Sequence, residues 1–415
     1  MSLTLQIAVA AVVGYLGLVR ALRWRKYDAV HNKYAHKLVE RDLSPAEAQE
    51  IVQLALGYDM HYVMILALGF ALYKTYGIPS ISKLLVATKE LSTEANVSRR
   101  VADTELLIAT WTSCPINGHY PGAAQDGTQS DHRAMLSMAR VNWIHSKYHI
   151  SNADFLYTLS LFLLEPLDWA ERYGWRQCSE LEKYAWFVYW VEIGKRMNIQ
   201  DIPSTFDELK AWSSAYEEQH MVPAESNAEV AKRTTDENLY RVPAALGLKA
   251  FARRLTVCLV GERVRVAMLL EAQPWYMHAI VRLTMGLVAL VQKHLMLPRR
   301  KMASLVMTEM PSVDPATGKV KRMHPHKFQP RPWYMPEPSN ALAALVMRLS
   351  VWAGIYECPP GPQLKCEGYY LHEMGPVKFE DDGQKETFSA AEELLGCPIA
   401  SHWTTLGMHD LQKQA

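Results

Sequence analysis

Arg100, Asp103, Thr104, Leu107 and Trp111 recur at intervals of three and four residues, which on a helix gathers them on one face. A stripe mixing a cation, a carboxylate and a hydroxyl with apolar residues suits the wall of a polar-tipped pocket, and equally a solvated face. A second stripe, Ala134, Met138 and Val141, leads to His145 and continues to Tyr148. A lone histidine on an apolar face reads either as a satisfied core residue or as a ligand. His149 follows four residues later, the helical spacing of a two-histidine metal site, yet the glutamate of an HExxH zinc site is missing and no third ligand is near. Asp154, Thr158, Leu161 and Phe162 form a third face, where a buried threonine can satisfy itself on the carbonyl four residues back. Glu217-Glu-Gln-His220 matches half of a di-iron helix pair without its second half and reads as a solvated helix end. The residues alone thus offer a pocket between three helices and no decisive motif.

The elements that must position these faces are helical. Ser44-Pro45-Ala46-Glu47 combines an N-cap, a proline at the first helical position and a capping-box glutamate. Ser179 with Glu182 and Thr205 with Glu208 repeat the box, and Ser151 with Asp154 is an acidic variant. No hairpin signal or glycine-rich phosphate loop is evident. Breaks are expected at residues 76–79, 114–131 and 200–204, and a proline-bearing irregular stretch with a basic patch over 298–338. With 49% apolar and 21% charged residues, the chain can bury a large core. A formal charge of +1 leaves no electrostatic footprint for nucleic acid. Six scattered cysteines without a CxxC pair read as free thiols.

The first 19 residues carry no charge, and Arg20, Arg23, Arg25 and Lys26 follow at once. A bilayer span needs about 20 apolar residues, so this segment is expected to be a transmembrane anchor. A cleaved signal peptide would carry its positive charge first. The trailing basic cluster places the catalytic bulk in the cytosol, which also leaves the Asn96-Val97-Ser98 sequon unglycosylated. The expected organisation is an anchor over residues 1–26, a helical domain over 27–300, and a C-terminal extension over 301–415 packed on it. Residues 275–297 and 342–356 are apolar but interrupted by Arg282 and Arg348, and read as core or membrane-surface helices rather than spans.

These helices, with residues 71–79 before them, resemble the catalytic domain shared by bacterial rubber oxygenases (latex-clearing proteins) and the fungal ER-bound oxygenase of mycophenolic acid biosynthesis. The motifs are Arg100-Val-Ala-Asp-Thr104, Arg140-Val-Asn-Trp-Ile-His145 and Asp154-Phe-Leu-Tyr-Thr158. The anchor, Tyr76-Gly-Ile-Pro79, His220-Met-Val-Pro and Met374-Gly-Pro point to the fungal branch. The resemblance implies an all-α fold around haem b, with His145 as proximal iron ligand and Arg100, Thr104 and Thr158 at the cofactor. The rubber enzymes carry a lysine three residues after the arginine; here it is Asp103, which is expected to orient a distal water or to act as a base on an allylic carbon, with Arg100 also placed in catalysis.

The reaction implied is cleavage of an isoprenoid C=C bond by O2 in a lipophilic, prenylated small molecule of terpenoid or meroterpenoid secondary metabolism. The enzyme would be a single-pass protein of the endoplasmic reticulum membrane. Rival readings are haem-dependent hydroxylation or oxidative cyclisation, and a non-catalytic membrane-tethered binding protein.

Overall fold

Capping chemistry sets the helix starts. In the computed structural model, which describes residues 2–91, 93–119 and 130–403, the boxes at Ser44/Glu47, Ser179/Glu182 and Thr205/Glu208 are all formed, and Ser151 Oγ accepts from the Asp154 amide. Regular structure among the described residues is helical, apart from the isolated bridges Val313–Val320 and Met323–Tyr369. The fold class expected from sequence, all-α with an apolar N-terminal helix, is the one observed.

The helices run in order as α1 (Leu3–Arg23), α2 (Arg25–Glu40), α3 (Pro45–Gln53), α4 (His61–Thr75), α5 (Pro79–Thr88), α6 (Glu94–Ser113), α7 (Arg133–His145) and α8 (Asn152–Tyr173). There follow α9 (Glu180–Arg196), α10 (Phe206–His220), α11 (Glu225–Asn238), α12 (Leu248–Val257), α13 (Glu262–Ala267), α14 (Trp275–His294), α15 (Ala341–Trp352) and α16 (Gln384–Leu395). The breaks at 76–79 and 200–204 fall between helices as expected, with Pro79 at the first turn of α5. Of the break over 114–131, residues 120–129 lie outside the described residues, as do 404–415 of the C-terminal extension.

The centre is built by α4 against α8, α3 against α9 and α6 against α7. Trp169, Trp186 and Trp190 are fully buried there. Burying an indole contributes roughly 4–6 kcal/mol of transfer free energy before conformational entropy is subtracted. Gly194 permits the close approach of α9 to α8, since a Cβ at that position would lie 2.4 Å from Leu159 Cδ2. The hydrophobic core is continuous across residue 300: Val306, Tyr334, Tyr369 and Met374 belong to the same cluster as the α3–α9 residues. The C-terminal segment binds the long helices through polar clasps as well. Fully buried Arg140 donates to the carbonyls of Met374 (2.8 Å), Phe379 (2.6 Å) and Asp382 (2.6 Å).

α1 is long and apolar enough to cross a membrane and is almost wholly exposed, with Leu3 72% and Val13 63% accessible. The apolar stretches 275–297 and 342–356 become α14 and α15, and neither is a core helix. α15 buries no residue, and α14 buries only Met277, Val281 and Gln292. The core alternative for these two stretches is therefore corrected. All six cysteines are unpaired.

Candidate active site

α4, α5, α6, α7, α8, α9 and α11 enclose a cavity of ≈ 450 Å³, within the range of about 300–1,000 Å³ typical of small-molecule and cofactor pockets. Its walls are mainly apolar, from Leu84, Trp111, Ile144, Phe155, Phe162 and Trp190 among others. Arg100, Thr104, His145 and Thr158 all line it, so the structure brings together residues from three separate sequence motifs.

Each has a local cause for its position. At 100° per residue, the cavity-facing positions of α6 (100, 101, 104, 105, 107, 108 and 111) centre on Thr104 and Ile108. Arg100 Nη1 donates to Thr104 Oγ1 (2.5 Å), and that hydroxyl donates back to the Arg100 carbonyl (2.6 Å), so the pair is held as a unit. Thr158 Oγ1 donates to the Asp154 carbonyl (2.8 Å), the self-satisfaction open to any buried threonine. His145 is the last residue of α7, and its ring packs on Phe155 at 5.4 Å.

The His145 imidazole is the unusual group. Its Nδ1 is buried without a partner, and neither ring nitrogen makes a hydrogen bond among the described residues. Burial, with Arg100 nearby, pushes its pKa down to about 4, so the ring is neutral and its lone pair available at neutral pH. The indole N–H groups of Trp111 and Trp190, in the same walls, also lack partners. An unsatisfied buried polar atom costs about 1–3 kcal/mol, and a group bound in the cavity would offset that cost at His145.

Three expectations are corrected. Asp103 does not face the cavity. It sits on the flank of the α6 arc, fully buried against the C-terminal segment, where Tyr334 Oη (2.6 Å) and the Gly375 amide (3.0 Å) donate to its two oxygens. Gly375 adopts φ +113°, and a Cβ there would lie 2.5 Å from Ile144 Cδ1, so this clasp depends on glycine. A carboxylate so enclosed has no access to a substrate in the cavity, and the base role expected for it does not fit its place. His149 is not one helical turn from His145, because α7 ends at His145; the helical premise of a two-histidine zinc site fails. Among the described residues no group of three or more His, Cys, Asp or Glu could hold a metal ion. Glu217 is not a solvated helix end either: it pairs with Lys74 (2.7 Å) and accepts from Tyr157 Oη (3.2 Å).

One site residue escaped the sequence reading. Glu105 follows Thr104 and lines the cavity, where Gln329 Nε2 donates to its Oε2 (2.5 Å). The carboxyl is open to the cavity yet surrounded by protein, and burial pushes its pKa up to about 7, with the nearby Glu237 adding to the rise. It is therefore poised to hold or release a proton near neutrality. Its neighbour in the Arg-x-x-x-Thr motif was the only signal available.

The donor set would suit a metal carried within an organic cofactor that supplies most of its ligands. One neutral imidazole, one cation without an ion pair among the described residues (Arg100) and extended apolar walls match a macrocycle bearing carboxylates better than a bare ion.

Comparison with known proteins agrees with this architecture. Residues 70–292 match the family described as ER-bound oxygenase mpaB/B'/Rubber oxygenase, catalytic domain. The ER-bound oxygenase mpaB' of Penicillium brevicompactum is 28% identical over 410 residues, covering 94% of this chain and 92% of that protein. The ER-bound oxygenase mpaB of Penicillium roqueforti (strain FM164) is 30% identical over 280 residues, covering 63% of this chain and 89% of that protein. The matched span holds every lining residue of the cavity except Gly69 and more than half of the chain, and this protein belongs to the family of the mpaB-type ER-bound oxygenases and rubber oxygenases.

Proposed function

We propose that this oxygenase is haem b-dependent and cleaves a C=C bond in the prenyl chain of a lipophilic terpenoid or meroterpenoid intermediate. The observation that carries this reading is the neutral, partnerless His145 imidazole in an apolar cavity beside Arg100. His145 would hold the haem iron, Arg100 would pair with an anionic group of the cofactor, and Thr104 and Thr158 would be its hydroxyl-bearing neighbours. Haem, when bound, supplies the activation of O2. The protein's own part is positioning. The aliphatic and aromatic walls exclude water and accept an isoprenoid chain, Thr104 fixes the Arg100 guanidinium, and Glu105 holds a proton at its carboxyl near neutral pH. The net reaction consumes one alkene and one O2 and gives two carbonyl groups, one oxygen atom on each.

α1 supports a single-pass anchor in the endoplasmic reticulum membrane, with the basic residues after it keeping the enzyme in the cytosol. A prenylated substrate concentrates in the same bilayer, since each buried CH2 contributes about 0.8 kcal/mol to partitioning. The test is twofold. The detergent-solubilised protein should show a Soret band that is lost in His145→Ala, and ¹⁸O2 should label both product carbonyls. A colourless wild-type protein rejects the haem. A singly labelled product rejects cleavage and favours hydroxylation or cyclisation.

A further inference from the structure

We infer that a second apolar surface, formed by the outward faces of α4 and α14, is embedded in the bilayer beside α1, and that the cavity opens onto it. This rests on reading α1 as a membrane anchor and adds to it.

The connection to α1 is direct. Tyr15 Oη donates to the Leu295 carbonyl (2.7 Å), and Arg23 Nη2 donates to that of Gln292 (2.6 Å), so the C-terminal end of α14 lies along the cytosolic end of the anchor. α14 presents Leu283, Leu287, Val288 and Leu290 to the outside, at 73%, 61%, 48% and 54% exposure. A row this exposed and this apolar is unfavourable in water and is the composition of an interfacial helix. Trp275 stands exposed at the start of α14, and Arg299, Arg300 and Lys301 follow its end, the aromatic and basic flanks that such helices carry.

The surface continues onto α4. Gln292 Nε2 donates to the Asp59 carbonyl (3.2 Å), and Arg299 Nη1 to that of Tyr58 (2.9 Å), which joins the end of α14 to the residues just before α4. Arg299 and Lys327 both lie over the Tyr62 ring, at 5.0 and 5.7 Å. From Tyr62 the exposed stripe of α4 runs through Ile65 and Leu66 to Gly69, at helical spacing. Gly69 and Leu72, next along the same stripe, are cavity residues, and a Cβ at Gly69 would meet nothing within 4 Å. The exposed apolar residues of α14 and α4 thus flank a basic joint at Arg299 and Lys327, and the α4 stripe runs on to the cavity residues Gly69 and Leu72. With this face in the leaflet, a lipophilic molecule enters the site along the α4 stripe. The basic rim favours anionic lipid at the same face.

Spin labelling of the full chain in vesicles of phosphatidylcholine with a minor fraction of phosphatidylserine tests this. In a background with Cys358, Cys366 and Cys397 changed to serine, nitroxides are placed at Leu66→Cys, Gly69→Cys and Leu287→Cys. Val9→Cys reports the anchor and Lys183→Cys the aqueous phase. Collision with O2 relative to a water-soluble nickel chelate should be several-fold higher at the three test positions than at Lys183, and close to that at Val9. Test positions that match Lys183, or that become immobile and closed to both reagents as at a contact with a second copy, overturn the surface while Val9 still reads lipid. If Val9 itself reads aqueous, the anchor fails and this inference fails with it.

Discussion

The two sides of the α6–α7 pair differ in how they hold charged groups. On the side facing the C-terminal segment the buried charged groups are paired, although Arg99 Nε and several neutral groups there (both ring nitrogens of His132, the Trp143 and Trp403 indoles and the Thr387 hydroxyl) lack hydrogen-bond partners among the described residues. Asp103 accepts from Tyr334 and Gly375, Arg99 pairs with Glu380 (2.9 Å), Arg140 reaches three carbonyls, and Arg133 pairs with Asp131 (2.7 Å). On the cavity side, His145 and the Trp111 and Trp190 indoles are left without partners, and Glu105 is held with a raised pKa. Paired charges stiffen a fold, whereas a buried imidazole without a partner at a cavity wall leaves a nitrogen free for a bound group.

The sharpest way to break the comparison is at its two poles. His145→Ala should abolish haem binding and activity, yet leave the melting temperature of the cofactor-free protein nearly unchanged, because the imidazole makes no hydrogen bond to lose. A large drop in that melting temperature would make His145 a structural residue after all. Arg140→Ala should do the reverse. It strands three carbonyls, at about 1–3 kcal/mol each if they stay dry, so denaturant unfolding should show a loss of about 3 kcal/mol or more.

Asp103→Asn separates clasp from catalyst. Losing the carboxylate beside Arg99, Tyr334 and Gly375 should lower stability by about 1–3 kcal/mol, with kcat per folded molecule little changed. A fall in kcat of about 10²-fold or more, the size of a lost general base, would restore the base role. Glu105 predicts a pH effect. Its folded-state pKa lies above the ordinary carboxyl value of 4.5, near 7, so the stability tied to its protonated form is complete below pH 4.5 and declines as pH rises through 7. The activity profile should carry a limb near pH 7 that Glu105→Gln removes; an unaltered profile shows that the group takes no part. Thr158→Val should have the smallest effect, because its hydroxyl already rests on the Asp154 carbonyl. A change in the Soret maximum of that variant would instead put the hydroxyl at the cofactor.

Much of this protein was legible without coordinates where the governing interactions are local. The anchor follows from an uncharged run ended by arginines, and the capping boxes from four-residue patterns whose partners lie within one turn. The motifs of Arg100, Thr104, His145 and Thr158 could be ordered along the chain, and only resemblance made them a set. Asp103 and Glu105 show where such reading stops. Both are acidic neighbours of Thr104 on α6, and nothing in their spacing told which one the C-terminal segment would cover. That depends on Tyr334 and Gly375, more than 230 residues away. Helix type, helix ends and membrane character were determined by the sequence itself, because each depends on residues within a turn or on the sum of one segment. The depth of the cavity, the lack of a partner for His145, and the burial of Asp103 against the C-terminal segment while Glu105 lines the cavity were decided by the tertiary structure. Burial and pairing depend on which distant segment arrives at each face, and no local pattern encodes that.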